Sequence, residues 1–333
     1  MEKNATMEAT KQKKSSNFTQ YLVVVAALVV LVIMFAVLSP SFRTYTTIVT
    51  MTSYMYYILF MAIGVTFPLI TGGVDLAMGT GLVCYSIVAS VMVKNMHLPV
   101  VVGMIICIVF GLLIGLLNGV IVAYFELPPF LTTLCTMMIV RGLGSIITGG
   151  VSGLWPQSGE GAWCRSIFKI TITTGEGKSL IFPLGVIWAI ILIAIMHIIL
   201  HKTRIGRYII AIGSNKEALR LSGVPVMRWH IMAYLISGFF TGLAAIAYGC
   251  TFTTLTPGTG AGFEMDAIAG AIIGGTSMAG GKGTVIGTLL GVILISLLKT
   301  GLPFIGLQAN WQQIITGAII IFAVTIDMAR NHK

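Results

Sequence analysis

Charge is scarce in this chain: only 9% of the 333 residues are charged, and ten are acidic. Soluble domains carry about 25% charged residues, so this chain cannot clothe a water-facing surface. Disorder is excluded as well, because it requires low hydrophobicity, and 56% of these residues are hydrophobic. Catalytic constellations are missing too. There is no HExxH pair, no nucleophile elbow and no paired histidine ligands, and His97, His197 and His201 sit at the ends of apolar runs. No CxxC pair occurs. Cys84, Cys107 and Cys135 lie inside apolar runs, Cys250 at the end of one and Cys164 in a loop, which suits buried free thiols better than a disulfide framework. The chain therefore reads as neither an enzyme nor a metalloprotein.

Long apolar runs are what the chain does have. Ten candidate spans lie at about 21–38, 53–70, 80–94, 100–124, 130–148, 182–200, 230–250, 266–279, 284–299 and 311–327. The eighth and ninth are short and glycine-rich, as in a re-entrant or broken-helix pair. The first run is longer than a signal-peptide core and ends in Ser39-Pro40-Ser41-Phe42, so it reads as a retained span. The expected fold is an all-α polytopic membrane protein of about ten transmembrane helices. Its spans occupy 21–328, between a cytoplasmic tail at 1–20 and another at 329–333.

The formal charge of +10 then becomes an orientation signal. Placing both termini in the cytoplasm puts thirteen of the twenty basic residues on that side. They are Lys3, Lys11, Lys13 and Lys14 in the N-terminal tail, Arg330 and Lys333 at the C-terminus, and Lys282. The other six, Lys202, Arg204, Arg207, Lys216, Arg220 and Arg228, fall in one loop at about 201–229. This is the positive-inside bias, and it removes any need for nucleic acid as a partner. The opposite side carries a long loop at 149–181 with Trp155, Trp163, Glu160 and Glu176. Its tryptophans read first as interfacial anchors and second as a docking surface.

Glycine supplies further patterns. Gly111, Gly115 and Gly119 recur at every fourth position, which lets helix backbones approach closely. The stretches Gly72–Gly81 and Gly274–Gly283 agree at five of ten positions, all Gly or Ala, as a repeat or by chance. The second stretch resembles a phosphate loop only superficially. Thr276 stands where Walker A requires its first glycine, and Gly283 follows Lys282 where Ser or Thr is required. The chain is expected to bind no ATP and no other cofactor.

In the basic loop, Ser214 and Glu217 have capping-box spacing, Gly223 suits a left-handed stop, and Pro225 prevents continuation. The spacing predicts a helix of two turns over 215–222, about 12 Å long. It reads either as a small helix packed on its own bundle or as a peg for a cytoplasmic partner.

Three ordered motifs carry a resemblance. Glu217-Ala218-Leu219, three residues and Gly223 resemble the EAA-xxx-G coupling loop of ABC importer permeases. Thr71-Gly72-Gly73-Val74-Asp75-Leu76-Ala77-Met78-Gly79 resembles the GG-[IV]-DLS-VG signature of ribose-type sugar permeases. The segment from Asp266 through Gly274, Gly275, Gly280, Gly281 and Lys282 to Gly283 is similar to their other hallmark. The resemblance extends over about 45–328. Its departures are Ala77 for Ser, Met78 for Val, and the 149–181 loop.

The resemblance implies a type II ABC importer-like bundle in a bacterial plasma membrane, moving a monosaccharide by alternating access. It implies four kinds of neighbour: a second permease copy or paralogue, cytoplasmic ATPase subunits holding ATP and Mg, an extracytoplasmic sugar-binding protein, and the lipid bilayer. Ser214, Asn215, Glu217, Ala218, Arg220, Leu221 and Gly223 would form the ATPase-coupling element. A secondary transporter or a passive channel for a small polar solute is the alternative. Among polar residues at or near the spans, Asp75 reads as a positioning residue that caps the next helix. Glu264 and Asp266 suit a helix N-terminus, and Arg141 must be paired or face water. Asn118, Thr132, Thr133 and Asn310 are candidates for contact with a passing solute, or are glue between helices.

Overall fold

A computed structural model describes residues 21–173, 179–252 and 254–331. The N-terminal tail, Glu176, Lys178, Lys333 and the side chain of Arg330 lie outside the described residues. The regular elements of the described chain are helices, one hairpin and two short 3₁₀ turns. In hydrocarbon every backbone group must be satisfied within its own segment, and apolar runs of this length do so as helices. Helices α1 (Tyr21–Leu38), α2 (Tyr45–Ile70), α3 (Ala77–Asn95), α4 (Val100–Tyr124) and α5 (Pro129–Thr148) come first. After the hairpin of β1 (Ile170–Thr173) and β2 (Ser179–Phe182) follow α6 (Gly185–Lys202), α7 (Arg204–Leu221) and α8 (Val226–Thr251). The last three are α9 (Phe263–Ile273), α10 (Val285–Phe304) and α11 (Ala309–Asn331).

Among the described residues eight helices are long and apolar enough to cross a membrane, against the ten spans expected. The difference lies at the eighth and tenth. Helix α9 has 11 residues, about 16 Å, half of a crossing; α11 is 23 residues long, and Asn310–Thr325 is its described apolar stretch. The ninth span, expected to be short, is a full helix of 20 residues.

Helices α2 and α8 form the centre. The most apolar stretch of α2 is 78% buried, whereas that of α1 is 11% buried and lies outermost. The glycine periodicity of α4 does what its spacing predicts. A Cβ at Gly111 would overlap the Gly238 carbonyl of α8, one at Gly115 would lie 3.0 Å from the Gly238 Cα, and one at Gly119 3.0 Å from the Ile231 Cα. Small residues here replace the hydrophobic effect as the means of holding two helices together in lipid.

The loop between α5 and α6 corrects the first reading of Trp155. Its ring is only 4% exposed, and its Nε1 donates to the Ser86 carbonyl at 3.2 Å and the Ser86 hydroxyl at 3.0 Å. Gly153 exchanges two backbone hydrogen bonds with Leu255, which folds the loop down onto α3. Trp155 is thus an internal plug, since a buried indole needs an acceptor and Ser86 supplies it. Trp163 remains half exposed.

The two similar glycine stretches end their helices in the same way. Gly72 (φ +81°) donates to Leu69 O at 2.9 Å and Gly73 donates to Pro68 O at 2.9 Å. Gly275 (φ +101°) donates to Ile272 O at 2.9 Å and Thr276 to Ala271 O at 3.0 Å. Both are Schellman stops, and the left-handed position is what requires glycine.

Candidate coupling site

Helix α7 breaks at Asn215, whose φ of −162° and ψ of 95° are extended. The limb before it runs from Arg204 to Ser214, and the limb after it is the short helix foreseen in the basic loop. The cap differs from the capping box expected at Ser214 and Glu217. The Asn215 Oδ1 accepts from the Ala218 amide at 2.9 Å, whereas the Ser214 hydroxyl donates backwards to Ile210 O at 3.0 Å. Glu217 instead faces Arg220 at 2.9 Å, with both side chains more than 60% exposed. The physical reason is that Ser214 is still the last turn of the preceding limb. The cap therefore falls to the next residue able to make it, and Asn caps as well as Ser. Gly223 has the anticipated left-handed conformation, φ +80°. Its amide donates to Arg220 O at 3.1 Å, that of Ser222 donates to Ala218 O at 3.2 Å, and Pro225 precedes α8.

What holds this limb to the bundle is a junction of the three motif segments. The Gly281 amide donates to Ile70 O at 2.8 Å, tying the loop between α9 and α10 to the end of α2. Gly213, immediately before the break, sits on this bond so closely that a Cβ there would overlap both the Ile70 carbonyl and the Gly281 amide. A Cβ at Gly280 would lie 3.1 Å from Gly213 O, Gly72 N and Ile70 O, and one at Gly281 would lie 2.8 Å from the Ser214 hydroxyl. A Cβ at Gly283 would overlap the side chain of Ile70. Gly274 abuts Gly287 of α10 just as tightly. Residues of three distant segments thus meet with nothing but backbone between them, and a displacement of the α7 limb bears directly on α2 and the loop before α10.

Asp75 completes the arrangement. Its carboxylate is buried, with Oδ1 accepting from the Ala77 amide at 3.0 Å and Oδ2 from the Ser237 hydroxyl of α8 at 2.6 Å. It positions the start of α3, as expected, and also links α3 to α8. Replacing it with Ala would leave the Ser237 hydroxyl and the Ala77 amide unpaired. Each costs about 1–3 kcal/mol, so Asp75→Ala is expected to lower the thermal unfolding midpoint in detergent far more than Ser237→Ala.

Gly73 abuts the Pro129 ring and the Tyr234 hydroxyl, and Gly79 the Glu264 carboxylate. Lys216 pairs with Glu126 at 3.3 Å. Glu126 has a positive φ of 53° and stands before Leu127-Pro128-Pro129 at the head of α5. Sequence reasoning missed Gly213, Glu126 and Ser237, because their partners lie far away in the chain. Leu221, at the tip of the limb, is 79% exposed.

The polar solute-path candidates are placed differently from one another. Asn118 and Thr133 are fully buried and Thr132 nearly so. The Thr133 hydroxyl donates to Pro129 O at 2.9 Å and lies 3.2 Å from Val74 O, as glue between helices would. Asn310 is exposed at the start of α11. Among the described residues no cluster of His, Cys, Asp and Glu could hold a metal ion.

The cap gives an early test. Asn215→Ala is expected to destabilise the second limb by about 1 kcal/mol, whereas Ser214→Ala leaves its cap in place. Hydrogen exchange at the Ala218 amide distinguishes the two, and equal protection in both variants would contradict the assigned cap.

Comparison with known proteins places these features. The family model described as "Branched-chain amino acid transport system / permease component" matches residues 47–324. The chain is 33% identical over 313 residues to the fructose import permease protein FruG of Bifidobacterium longum (strain NCC 2705), covering 93% of this chain and 92% of that one. It is 34% identical over 337 residues to the galactose/methyl galactoside import permease protein MglC of Escherichia coli (strain K12), covering 96% and 98%. It is also 34% identical over 305 residues to the ribose import permease protein RbsC of the same strain, covering 90% and 91%. No solved structure matches. A match over nearly all the spans, together with relatives aligned almost end to end, shows that this chain belongs to the ABC transporter permease family described as the branched-chain amino acid transport system permease component.

Proposed function

We propose that this chain is the membrane subunit of an ATP-driven importer of a monosaccharide, working by alternating access in a bacterial plasma membrane. The observation that carries this reading is the exposed second limb of α7, seated against a junction that joins α2, α7 and the loop before α10. Such a limb can transmit force only if a partner holds it differently in two states. The partner chemistry that fits is a cytoplasmic ATPase, which carries ATP and Mg on its own chain. Ser214, Asn215, Glu217, Ala218, Arg220, Leu221 and Gly223 form the coupling element, on a loop at 201–229. Gly72, Gly73, Asp75, Gly79, Gly274, Gly275, Gly280, Gly281, Lys282 and Gly283 form the seat and its approaches.

The charge bias supports cytoplasmic termini flanking a permease domain at 21–328, and the opposite end would receive an extracytoplasmic sugar-binding protein. A second permease copy or a paralogue completes the path. Support for a sugar comes from the named relatives, which are import permeases for fructose, galactose and ribose.

The test is reconstitution in proteoliposomes with candidate ATPase and binding-protein partners and a sugar panel. Uptake that stops on ATP depletion while an ion gradient is maintained is the expected result. Uptake that follows the gradient and ignores ATP would mean a secondary transporter, and downhill flux alone a channel.

A further inference from the structure

The chain that leads into the eighth span is not a helix. Helix α8 ends at Thr251, and its Gly249 packs against Ser86 and Trp155. Thirteen residues after Thr251 the chain is at Glu264, whose carboxylate abuts Gly79 of α3, and Gly79 lies seven residues, about 10 Å, below Ser86 along that helix. Residues between them mark the descent. Leu255 pairs with Gly153 just beyond the end of α5, a Cβ at Gly258 would lie 3.4 Å from Arg141 of α5, and Gly260 abuts Gly79 and Val83. Thr254–Gly262 is therefore irregular chain running inward to the depth at which α9 begins. Its left-handed residues Gly258, Gly260 and Gly262 have φ of +86°, +102° and +92°.

Irregular backbone at membrane depth survives only where protein covers it or water reaches it, because lipid satisfies no hydrogen bond. Here Thr254, Thr256, Gly258, Thr259, Ala261 and Gly262 are exposed. Arg141 is exposed beside them, twelve residues into the 20-residue α5. A guanidinium at that depth faces water or a partner rather than lipid chains. One further polar group sits at the foot of the segment: Glu264 is 6% exposed, and its Oε2 has no hydrogen-bond partner among the described residues.

We propose that Thr254–Gly262 and Arg141 wall the aqueous path, and that Thr256, Thr259 and the Arg141 guanidinium hydrogen-bond the hydroxyls of an uncharged polyhydroxylated solute. The site deepens the reading above and rests on it for the solute class. The polar residues on this wall are threonines and one arginine, which suits a neutral solute rich in hydroxyl groups. The earlier candidates Asn118, Thr132 and Thr133 are shut between helices instead.

Cysteine scanning tests the wall without any need for transport. Thr254→Cys, Thr256→Cys and Thr259→Cys are made in full-length protein with the exposed native Cys135 replaced by Ala, alongside Ile146→Cys on the outer face of α5. A membrane-impermeant thiosulfonate is expected to label the three threonine positions and to spare Ile146→Cys. Labelling of none of the three in correctly inserted protein would overturn the proposal.

In reconstituted transporter, Arg141→Leu is expected to raise the KM for whichever of D-ribose, D-galactose or D-fructose is carried by at least tenfold. ATPase stimulation should be unchanged, and Arg141→Lys should recover part of the loss. An unaltered KM in Arg141→Leu would also overturn it. Labelling that succeeds while the wild type carries no sugar would refute the importer reading and leave the aqueous wall standing.

Discussion

Gly213→Val is expected to abolish sugar uptake while the chain still inserts and assembles. The Ile70 carbonyl and the Gly281 amide already bond at 2.8 Å, and a side chain at position 213 would enter the space they share. Neither neighbour is the end of a flexible side chain, so relief requires a backbone to move. Overpacking of this kind costs about 1–3 kcal/mol, and more where backbone must shift. The cost falls on the contact through which Gly213 of α7 bears on the end of α2. Even Gly213→Ala should reduce transport, by roughly tenfold if about 1.4 kcal/mol of the coupled state is lost. Gly317→Ala meets nothing within 4 Å and is the silent control. Uptake and ATPase rates measured together read the outcome. Full uptake in Gly213→Val would refute the junction, whereas hydrolysis continuing without uptake is the expected signature of uncoupling.

Lys299→Met is expected to destabilise the fold by about 3–5 kcal/mol. Lys299 of α10 makes a short ion pair with Asp266 of α9, and the two side chains are 15% and 7% exposed. The ammonium also lies 4.9 Å from the centre of the Phe263 ring. Removing the lysine leaves a carboxylate buried without its counter-charge, and that orphaned charge, more than the lost attraction, sets the size of the effect. The double variant Asp266→Asn with Lys299→Met should therefore recover most of the loss, since no charge then remains to be compensated. Thermal unfolding in detergent checks both. A single variant as stable as the parent would mean that the pair is not closed off from water.

Much of the architecture was legible because membrane helices obey a local rule. A span must be apolar for about 20 residues, and composition alone reveals that. The same rule misjudged the eighth span, because 266–279 is apolar enough for a helix but its second part turns at glycines to build a loop. The capping box was misplaced by one residue for a related reason. Ser214 has the right spacing to Glu217, but whether it begins a helix or ends one depends on the limb before it. Trp155 looked like an interfacial anchor because nothing local reveals that Ser86, far away in the chain, waits for its indole. The short helix after Asn215, by contrast, was readable, since its Gly223 stop and its basic setting are contiguous.

The amino-acid sequence by itself determined the solvent, the number of apolar runs, the uneven placement of the basic residues and the family, because each depends on composition or on short ordered motifs. Only the tertiary structure decided that Gly72, Gly213, Gly280 and Gly281 meet at one junction, that Asp75 reaches Ser237, and that the irregular chain before α9 runs inward beside Arg141. Those facts are contacts between residues far apart in the chain. The absence of a side chain at glycine says that something comes close, and packing alone says what.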